Sequence, residues 1–384
     1  MEFETRAIHV GQEPDPATGA LTTPIHQTST FVQDAVGEHK GYDYSRSGNP
    51  TRTALQECLA SLEGAAHGVA FSSGLGATTT LMHLVSPGER VVSVNDVYGG
   101  VYRMFSQIYA PKGYAFEFVS AEELCRDAAS HLEEGARIVW LETPTNPLLN
   151  VVDIAAVADA AHAAGAIVVV DNTFATPYLQ RPLELGADVV LHSTTKYLGG
   201  HSDVVGGFLA TNDPTIAERL SFLQKSLGAI PGPFDSWLVL RGLKTLSVRM
   251  REHCANARRV SAFLADQPGV ERVFYPGLEA HPGHAIARRQ MRDFGGMVSF
   301  LASSEEEAMA LVARTKVWKL AESLGGVESL IEQPARMTHA STADSPFAAP
   351  GNLVRLSVGI ESADDLIEDL AQAIVGAARS PARA

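Results

Sequence analysis

A single lysine closes an apolar stretch near the middle of this sequence. Lys196 follows the strand-like run "ADVVLHSTT" and precedes "YLGG", and it carries the only formal charge between Asp188 and Asp203. A lysine amine buried among apolar residues has a lowered pKa and can act as a nucleophile at neutral pH. Lys196 therefore has the properties that Schiff-base chemistry requires.

Further polar and aromatic groups follow other apolar runs. Asp171 comes directly after "AIVVV", where a buried carboxylate is costly without a cationic partner. The stretch "SSGLGATTT" places a glycine turn before a helix, so the backbone N–H groups of Gly74 and Leu75 suit a phosphate. Tyr98 in "DVYGG" offers an aromatic face to a ring. An amine for the aldehyde, an acid for the ring nitrogen and an anion site are together what pyridoxal phosphate needs.

The sequence leaves structural explanations of the same residues open. Asp171 can simply neutralise Lys196 in a buried ion pair. Tyr98 can be an ordinary core aromatic, and Glu142 and Asn146 in "ETPTNP" can belong to a polar loop. The stretch "SSGLGA" can be no more than a turn, since it lacks the glycine spacing of the dinucleotide fingerprint and no Walker lysine follows it.

An alternation of apolar runs and helical segments must position these residues. The runs that read as strands are "HGVAFSS", "RVVSVND", "YAFEFVS", "ARIVWLE", "AIVVVDN" and "ADVVLHS". Near-continuous apolar strands separated by helices predict an α/β fold with a mostly parallel sheet covered on both faces. Ligands bind beyond the carboxyl ends of such strands, which is where the candidate residues lie.

Three segments differ in pattern. Residues 1–45 are rich in Thr, Pro and Gly and predict an irregular arm that contacts a neighbouring subunit. Residues 46–250 contain the predicted cofactor-binding α/β domain. Residues 251–384 predict a smaller α+β domain, which a long helix connects to the first.

Composition limits the partners and the location. The chain has 384 residues and a formal net charge of -14, and it lacks the clustered Lys and Arg that nucleic acid binding needs. No apolar stretch has the length of a bilayer span and the start does not resemble a signal peptide, so a cytoplasmic protein is predicted. Cys58, Cys125 and Cys254 stand far apart, so neither a disulfide framework nor a metal site is predicted.

Eight motifs, in order along nearly the whole chain, carry a resemblance to a known family. They are "YSRSGNPTR", "SSGLGA", "DVYGG", "ETPTNP", "VVVDNTF", "HSTTKYLGGHSDVVGG", "AESLGGVESL" and "LVRLSVGIE". The set closely resembles the Cys/Met-metabolism family of pyridoxal phosphate enzymes, which includes cystathionine γ-lyases and γ-synthases. The resemblance implies the aspartate-aminotransferase-like fold (fold type I) and a homotetramer, a dimer of dimers with shared active sites.

The resemblance also implies a role for individual residues toward the cofactor. Lys196 becomes the Schiff-base lysine, Asp171 the partner of the pyridinium nitrogen and Tyr98 the residue that stacks on the ring, with Thr173 nearby. The implied phosphate-binding residues are Ser193, Thr195 and the backbone of Gly74 and Leu75, with Tyr44 and Arg46 reaching in from the neighbouring subunit.

Substrate contacts are implied in the same way. Arg355 is expected to bind the α-carboxylate as a bidentate pair, helped by Asn146 and Ser323. Glu322 and Arg103 occupy positions that contact the distal part of the substrate.

The family resemblance implies chemistry at the substituted γ-carbon of an amino acid. The favoured reaction is γ-elimination of L-cystathionine to L-cysteine, 2-oxobutyrate and ammonia, as in transsulfuration, because "SLGAIPGPFDSW" and "PARMTHAS" resemble the γ-lyases. The alternative is γ-replacement on O-succinyl- or O-acetylhomoserine with cysteine. Methionine γ-lyases usually carry a cysteine at the position of Gly100, so the resemblance argues against methionine γ-elimination as the main activity. A binding protein that kept this fold without turnover is a further alternative, although no motif residue is missing.

Overall fold

Two sheets organise the chain, and a computed structural model describes residues 1–343 and 345–378 of it. The larger sheet has seven strands in the order β1-β7-β6-β5-β4-β2-β3. Its strands are β1 (His67–Phe71), β2 (Arg90–Val94), β3 (Ala115–Val119), β4 (Ile138–Glu142), β5 (Ile167–Asp171), β6 (Val189–Ser193) and β7 (Gly207–Thr211).

The second sheet has five strands in the order β10-β11-β12-β9-β8. They are β8 (Val270–Phe274), β9 (Met297–Ala302), β10 (Lys319–Leu320), β11 (Leu330–Glu332) and β12 (Leu353–Ser357). The α-helices are α1 (Phe3–His9), α2 (Pro50–Glu63), α3 (Gly74–Met82), α4 (Gly99–Met104), α5 (Ala121–Asp127), α6 (Ile154–Ala163), α7 (Thr176–Leu179), α8 (Pro214–Leu227), α9 (Pro233–Leu243), α10 (Leu246–Ala265), α11 (His284–Gln290), α12 (Glu305–Val312) and α13 (Ala363–Ala378). None of these helices, within the described residues, is long and apolar enough to cross a membrane.

The larger sheet confirms the predicted α/β fold. Strands β2 to β6 pair in parallel, so their carboxyl ends meet at one edge. Alternate residues of β6 belong to different core clusters, with Val189 and Leu191 in one and Val190 in the other. The sheet is therefore covered on both faces, as near-continuous apolar strands require.

The sequence did not predict β7. This strand pairs antiparallel with both β1 and β6, and it inserts between them. The strand begins at the second residue of the glycine pair Gly206 and Gly207, and such a pair is typical of a turn rather than of a strand.

The sequence predicted an irregular arm for the first 45 residues. The structure differs at Phe3–His9, which form the helix α1. Phe3 on this helix is buried and packs edge-to-face on Tyr178 at 5.2 Å between ring centroids. Helix α2 begins at Pro50, where the side chain of Asn49 caps it. The predicted boundary at residue 250 falls within α10, and the division into domains stays a prediction.

The backbone of β7 lies close to the turn after β1, at the point where α3 begins. A Cβ atom added at Gly207 would lie 2.2 Å from the carbonyl oxygen of Ser73 and 2.9 Å from the N atom of Gly74. Backbone atoms cannot move aside as a flexible side chain can, so only glycine fits here.

We therefore expect Gly207→Ala to destabilise the fold. Forcing an extra methyl group into close-packed structure costs about 1–3 kcal/mol in the free energy of unfolding. The matched control is Gly232→Ala, where the added Cβ meets only Asp235 Oδ2 at 3.6 Å and φ is -67°. Urea unfolding should show a change below about 1 kcal/mol for the control, the scale of a lost cap preference. Equal effects of the two changes would contradict this explanation.

Candidate active site

A cavity of about 300 Å³ lies at the carboxyl end of the parallel strands. It brings together most of the residues that the sequence singled out. Those that line it are Gly74, Leu75, Tyr98, Asn146, Asp171, Thr173, Ser193, Thr195, Lys196, Glu322, Ser323 and Arg355. The second sheet contributes Arg355 from β12, so the cavity lies between the two sheets.

Lys196 lies in this cavity with its amine withdrawn from solvent. Its Nζ donates a hydrogen bond to Ser323 Oγ at 2.9 Å. Burial, assisted by the positive charge of Arg355, lowers the pKa of Lys196 to about 8, although Glu332 and Glu322 oppose the shift. The neutral, nucleophilic amine is therefore accessible near neutral pH.

Asp171 does not serve as the counterion of Lys196. Among the ion pairs of residues 1–343 and 345–378, none joins these two side chains. Asp171 instead accepts hydrogen bonds from the N–H and the Oγ1 of Thr173, at 3.0 and 2.5 Å. Burial raises the pKa of Asp171, and the bonds from Thr173 oppose that rise. The structural ion pair that the sequence left open is thus absent from the described residues.

Thr173 connects two neighbouring strands at the floor of the cavity. Its Oγ1 donates to Asp171 and accepts a hydrogen bond from the backbone N–H of Ser193 at 2.9 Å. One hydroxyl therefore fixes both the acid at the end of β5 and the hydroxyl-bearing end of β6.

An anion cradle forms where α3 begins. Ser73 caps this helix by accepting a hydrogen bond from Gly76 N–H at 2.9 Å, while the N–H groups of the first residues have no partner within the helix. A Cβ atom added at Gly74 would lie 3.1 Å from Ser193 Cβ, so the helix start and the end of β6 are in close contact. Free N–H groups at a helix start beside hydroxyls suit a phosphate.

These residues fit pyridoxal phosphate. The cavity contains an amine of lowered pKa, a buried acid, an anion cradle and the ring of Tyr98, which is 39% exposed. They are the groups that the aldehyde, ring nitrogen, phosphate and ring face of this cofactor require. No group of three or more His, Cys, Asp or Glu side chains suited to a metal ion occurs among the described residues.

Arg355 is a buried cation held by several partners. It is 2% exposed, and its Nη1 donates to Asn146 Oδ1 at 2.8 Å. Its Nη2 donates to the carbonyl oxygen of Ser323 at 2.9 Å and lies 3.1 Å from Glu332 Oε1. Ser323 has a φ of +92°, a left-handed conformation that is costly for a residue with a side chain. The strained residue therefore contacts both Lys196 and Arg355.

Sequence reasoning missed two carboxyl groups that order this site. Glu332 on β11 is the register partner of Arg355 on β12 and also accepts a hydrogen bond from Thr338 at 2.7 Å. Asp96 accepts bonds from Leu148 N–H at 3.2 Å, from Asn150 Nδ2 at 3.1 Å and from Thr145 Oγ1, and so fixes the loop that carries Asn146. Asp96 follows the apolar strand β2 after one intervening residue, a weaker form of the signal that identified Asp171, whereas only two apolar residues, Leu330 and Ile331, precede Glu332.

The remaining predicted site residues lie outside this cavity. Tyr44 is 45% exposed, and Arg46 lies 5.5 Å from its ring centroid and donates to Lys225 O at 2.7 Å. Arg103 is exposed on α4. The roles predicted for these three residues stay predictions.

The pKa of Lys196 can be tested directly. In protein freed of cofactor, the rate of labelling of Lys196 by acetic anhydride, followed by peptide mass spectrometry, should rise with pH around a midpoint of about 8. Replacing Arg355 by Met should raise that midpoint, because a nearby positive charge disfavours the protonated amine. Labelling of Lys40, an exposed side chain, provides the reference for reagent reactivity. A midpoint at the ordinary lysine value, unchanged in the variant, would contradict the assigned environment.

Comparison with known proteins agrees with this geometry. Residues 4–375 match the family model described as Cys/Met metabolism PLP-dependent enzyme. A cystathionine gamma-synthase of Mycobacterium tuberculosis is 54% identical over 373 residues, 96% of each chain. A cystathionine gamma-lyase of Dictyostelium discoideum is 52% identical over 375 residues, covering 96% of this chain and 97% of that protein.

Solved structures show the same relationship. The crystal structure of metB from Corynebacterium glutamicum superposes with a TM-score of 0.96 at 49% identity and covers 98% of each chain. Proteins named cystathionine beta-lyase also match along the chain. The chain therefore belongs to the Cys/Met metabolism family of PLP-dependent enzymes, among relatives that make or cleave cystathionine.

Proposed function

We propose that this enzyme catalyses γ-elimination of L-cystathionine, giving L-cysteine, 2-oxobutyrate and ammonia. The arrangement around Ser323 supports chemistry on an α-amino acid, and the segments "SLGAIPGPFDSW" and "PARMTHAS" favour elimination over replacement. The Oγ of Ser323 accepts a hydrogen bond from Lys196 Nζ, and its carbonyl oxygen accepts one from Arg355 Nη2. A proton-transferring amine and a carboxylate-binding cation are thus held by one residue, as an α-amino acid substrate needs.

The chain's own residues would hold the cofactor as follows. Pyridoxal phosphate, when bound, supplies a ring that accepts the electrons left by the broken bonds. Asp171 would keep the ring nitrogen protonated, and Tyr98 would stack on the ring. The phosphate would lie in the cradle formed by Ser193, Thr195 and the backbone N–H groups of Gly74 and Leu75.

Lys196 would perform the proton transfers. Its amine, when free, would remove the proton from Cα of the substrate and then move protons at Cβ. The bond between Cγ and sulfur would break, and cysteine would leave with its thiol. Water completes the reaction, so that cystathionine and water balance against cysteine, 2-oxobutyrate and ammonia.

Substrate orientation would depend on Arg355. Its guanidinium would bind the α-carboxylate by paired hydrogen bonds, with Asn146 and Ser323 fixing its plane. Glu322, at the exposed rim, and Arg103 would contact the distal amino acid group of cystathionine.

A second candidate is cystathionine γ-synthase, in which a cysteine thiol displaces the acyl group of O-succinyl- or O-acetylhomoserine. The observation that favours it is the 54% identity to the Mycobacterium tuberculosis protein of that name. The lyase proposal rests on "SLGAIPGPFDSW" and "PARMTHAS", the second of which contains the cavity residue Thr338. Both reactions use the same proton-transfer residues, so the products must decide.

We also propose a cytoplasmic homotetramer, a dimer of dimers with shared sites. Large apolar side chains of the first 45 residues are exposed in the single chain, among them Leu21, Val32 and Val36 at 77%, 89% and 104%. Such exposure in one region is typical of an interaction surface. All three cysteines are free, which suits a reducing compartment.

The product assay tests the reaction. Purified enzyme is incubated with cystathionine, and separately with each homoserine ester plus cysteine, and 2-oxobutyrate and cystathionine are measured. We expect rapid release of 2-oxobutyrate and cysteine from cystathionine with little synthesis. Net cystathionine formation from an ester would instead establish the synthase.

Replacing Arg355 by Lys tests the carboxylate site. Lysine keeps the charge but not the planar paired donors, so kcat/KM for cystathionine should fall about ten- to a hundredfold. Arg289→Lys is the control, because Arg289 is exposed and pairs at the surface with the partly buried Asp153, where lysine keeps the charge. Kinetics of the Arg355 variant within twofold of wild type would remove Arg355 from the substrate site.

Assembly can be measured by light scattering. A tetramer of 40.9 kDa chains is expected, and Val32→Lys together with Val36→Lys should shift it toward smaller species, because burying two charges in an apolar contact is unfavourable. Met309→Lys, at a 42% exposed residue on α12, is the control. A monomer for the wild type would contradict the proposed assembly.

A further inference from the structure

Glu142 is a buried carboxyl group that the proposed reaction does not use. It ends β4, is 5% exposed and lines the same cavity as Asp171. Its Oε2 accepts a hydrogen bond from the backbone N–H of Tyr98 at 2.9 Å. Glu142 therefore joins the end of the sheet to the residue whose ring faces the cofactor site.

Glu142 and Asp171 are direct register partners on adjacent parallel strands. Side chains at paired positions leave a sheet on the same face, so the two carboxyl groups share one buried region. Two carboxylates in such a site repel each other, and one of them keeps its proton. Asp171 is the better stabilised anion, because it accepts two hydrogen bonds from Thr173 whereas Glu142 accepts one from Tyr98.

The surrounding charges favour the same assignment. Besides Asp171 on β5, the charged groups that act on Glu142 are Asp96, in the loop after β2, and Arg355 on β12. Burial first, and then the charge of Asp171, raise the pKa of Glu142 well above its usual range, while the hydrogen bond from Tyr98 N–H and the charge of Arg355 oppose that rise. His192 acts on Asp171 in the opposite sense and favours the Asp171 anion.

We propose that Glu142 is a positioning residue that, as a neutral carboxylic acid, holds the main chain of Tyr98 against the sheet and leaves Asp171 as the anion for the cofactor ring. The proposal rests on the proposed function in one respect, since it takes Asp171 as the partner of the ring nitrogen. A neutral Glu142 adds no second negative charge that would compete for that nitrogen.

Two substitutions separate the hydrogen bond from the charge. Glu142→Gln keeps a side-chain oxygen for the Tyr98 N–H and carries no charge, so its kcat/KM with cystathionine should stay within about threefold of wild type. Glu142→Leu removes the acceptor and leaves the Tyr98 N–H without its partner, so kcat/KM should fall about ten- to a hundredfold. Glu122→Gln, at an exposed side chain, is the control and should be unchanged.

Spectroscopy of the holoenzyme gives readouts that a general loss of stability would not move. The visible circular dichroism of the bound cofactor should match wild type in Glu142→Gln and differ in Glu142→Leu, because the ring of Tyr98 shifts. Infrared difference spectra of wild type against Glu142→Gln, with and without cofactor, should show the carbonyl stretch of a protonated carboxylic acid at neutral pH, lost in the variant.

The outcomes decide the proposal. A carboxylate band in place of the acid band, or a Gln variant as impaired as the Leu variant, would show that Glu142 acts as an anion and overturn it. Wild-type kinetics and dichroism in the Leu variant would remove the positioning role. If that variant does not fold, the infrared band and the Gln variant still decide. Failure of wild type to turn over cystathionine would refute the proposed reaction alone, because the infrared and dichroism results do not depend on the substrate.

Discussion

Withdrawal of the Lys196 amine from water is the constraint on which the rest of the site depends. A primary amine in water is protonated at neutral pH and is a poor nucleophile, and burial removes the hydration that stabilises its cation. The structure places Arg355 close enough to add to this effect and lets Glu332 and Glu322 only partly offset it. The cavity therefore keeps a cationic arginine close to a lysine whose pKa it helps to lower.

Holding so many ionisable groups away from solvent requires that each has defined partners. Arg355 has Asn146, Ser323 and Glu332, and Asp171 has Thr173. These partners lie on, or shortly after, strands of both sheets. The site therefore requires a fixed position of one sheet relative to the other. The left-handed backbone at Ser323 fits this view, because a costly conformation persists where the surrounding contacts fix it.

The sequence predicted the larger sheet well because its strands are apolar and separated by helices, and ligand-binding residues follow such strands. Asp171, Lys196, Asn146 and the start of α3 could be placed on this basis alone, whereas Arg355 and Ser323 were placed only through the family resemblance. Strand β7 was missed because its glycines suggest a turn. The pairing of Glu332 with Arg355 was missed because it depends on the antiparallel register between β11 and β12. Strand β11 has only three residues, and β12 begins well beyond its end in the sequence. Tyr44, Arg46 and Arg103 do not line the cavity of the single chain, so the roles that the family resemblance implies for them stay predictions.

We propose that Lys196 is the residue that binds the cofactor aldehyde. Reduction of the purified holoenzyme with borohydride, followed by proteolysis and mass spectrometry, tests it most directly, because reduction makes the lysine–cofactor linkage permanent. We expect a phosphopyridoxyl group on the peptide that contains Lys196. Attachment to a different lysine, or a holoenzyme that yields no modified peptide, would contradict it.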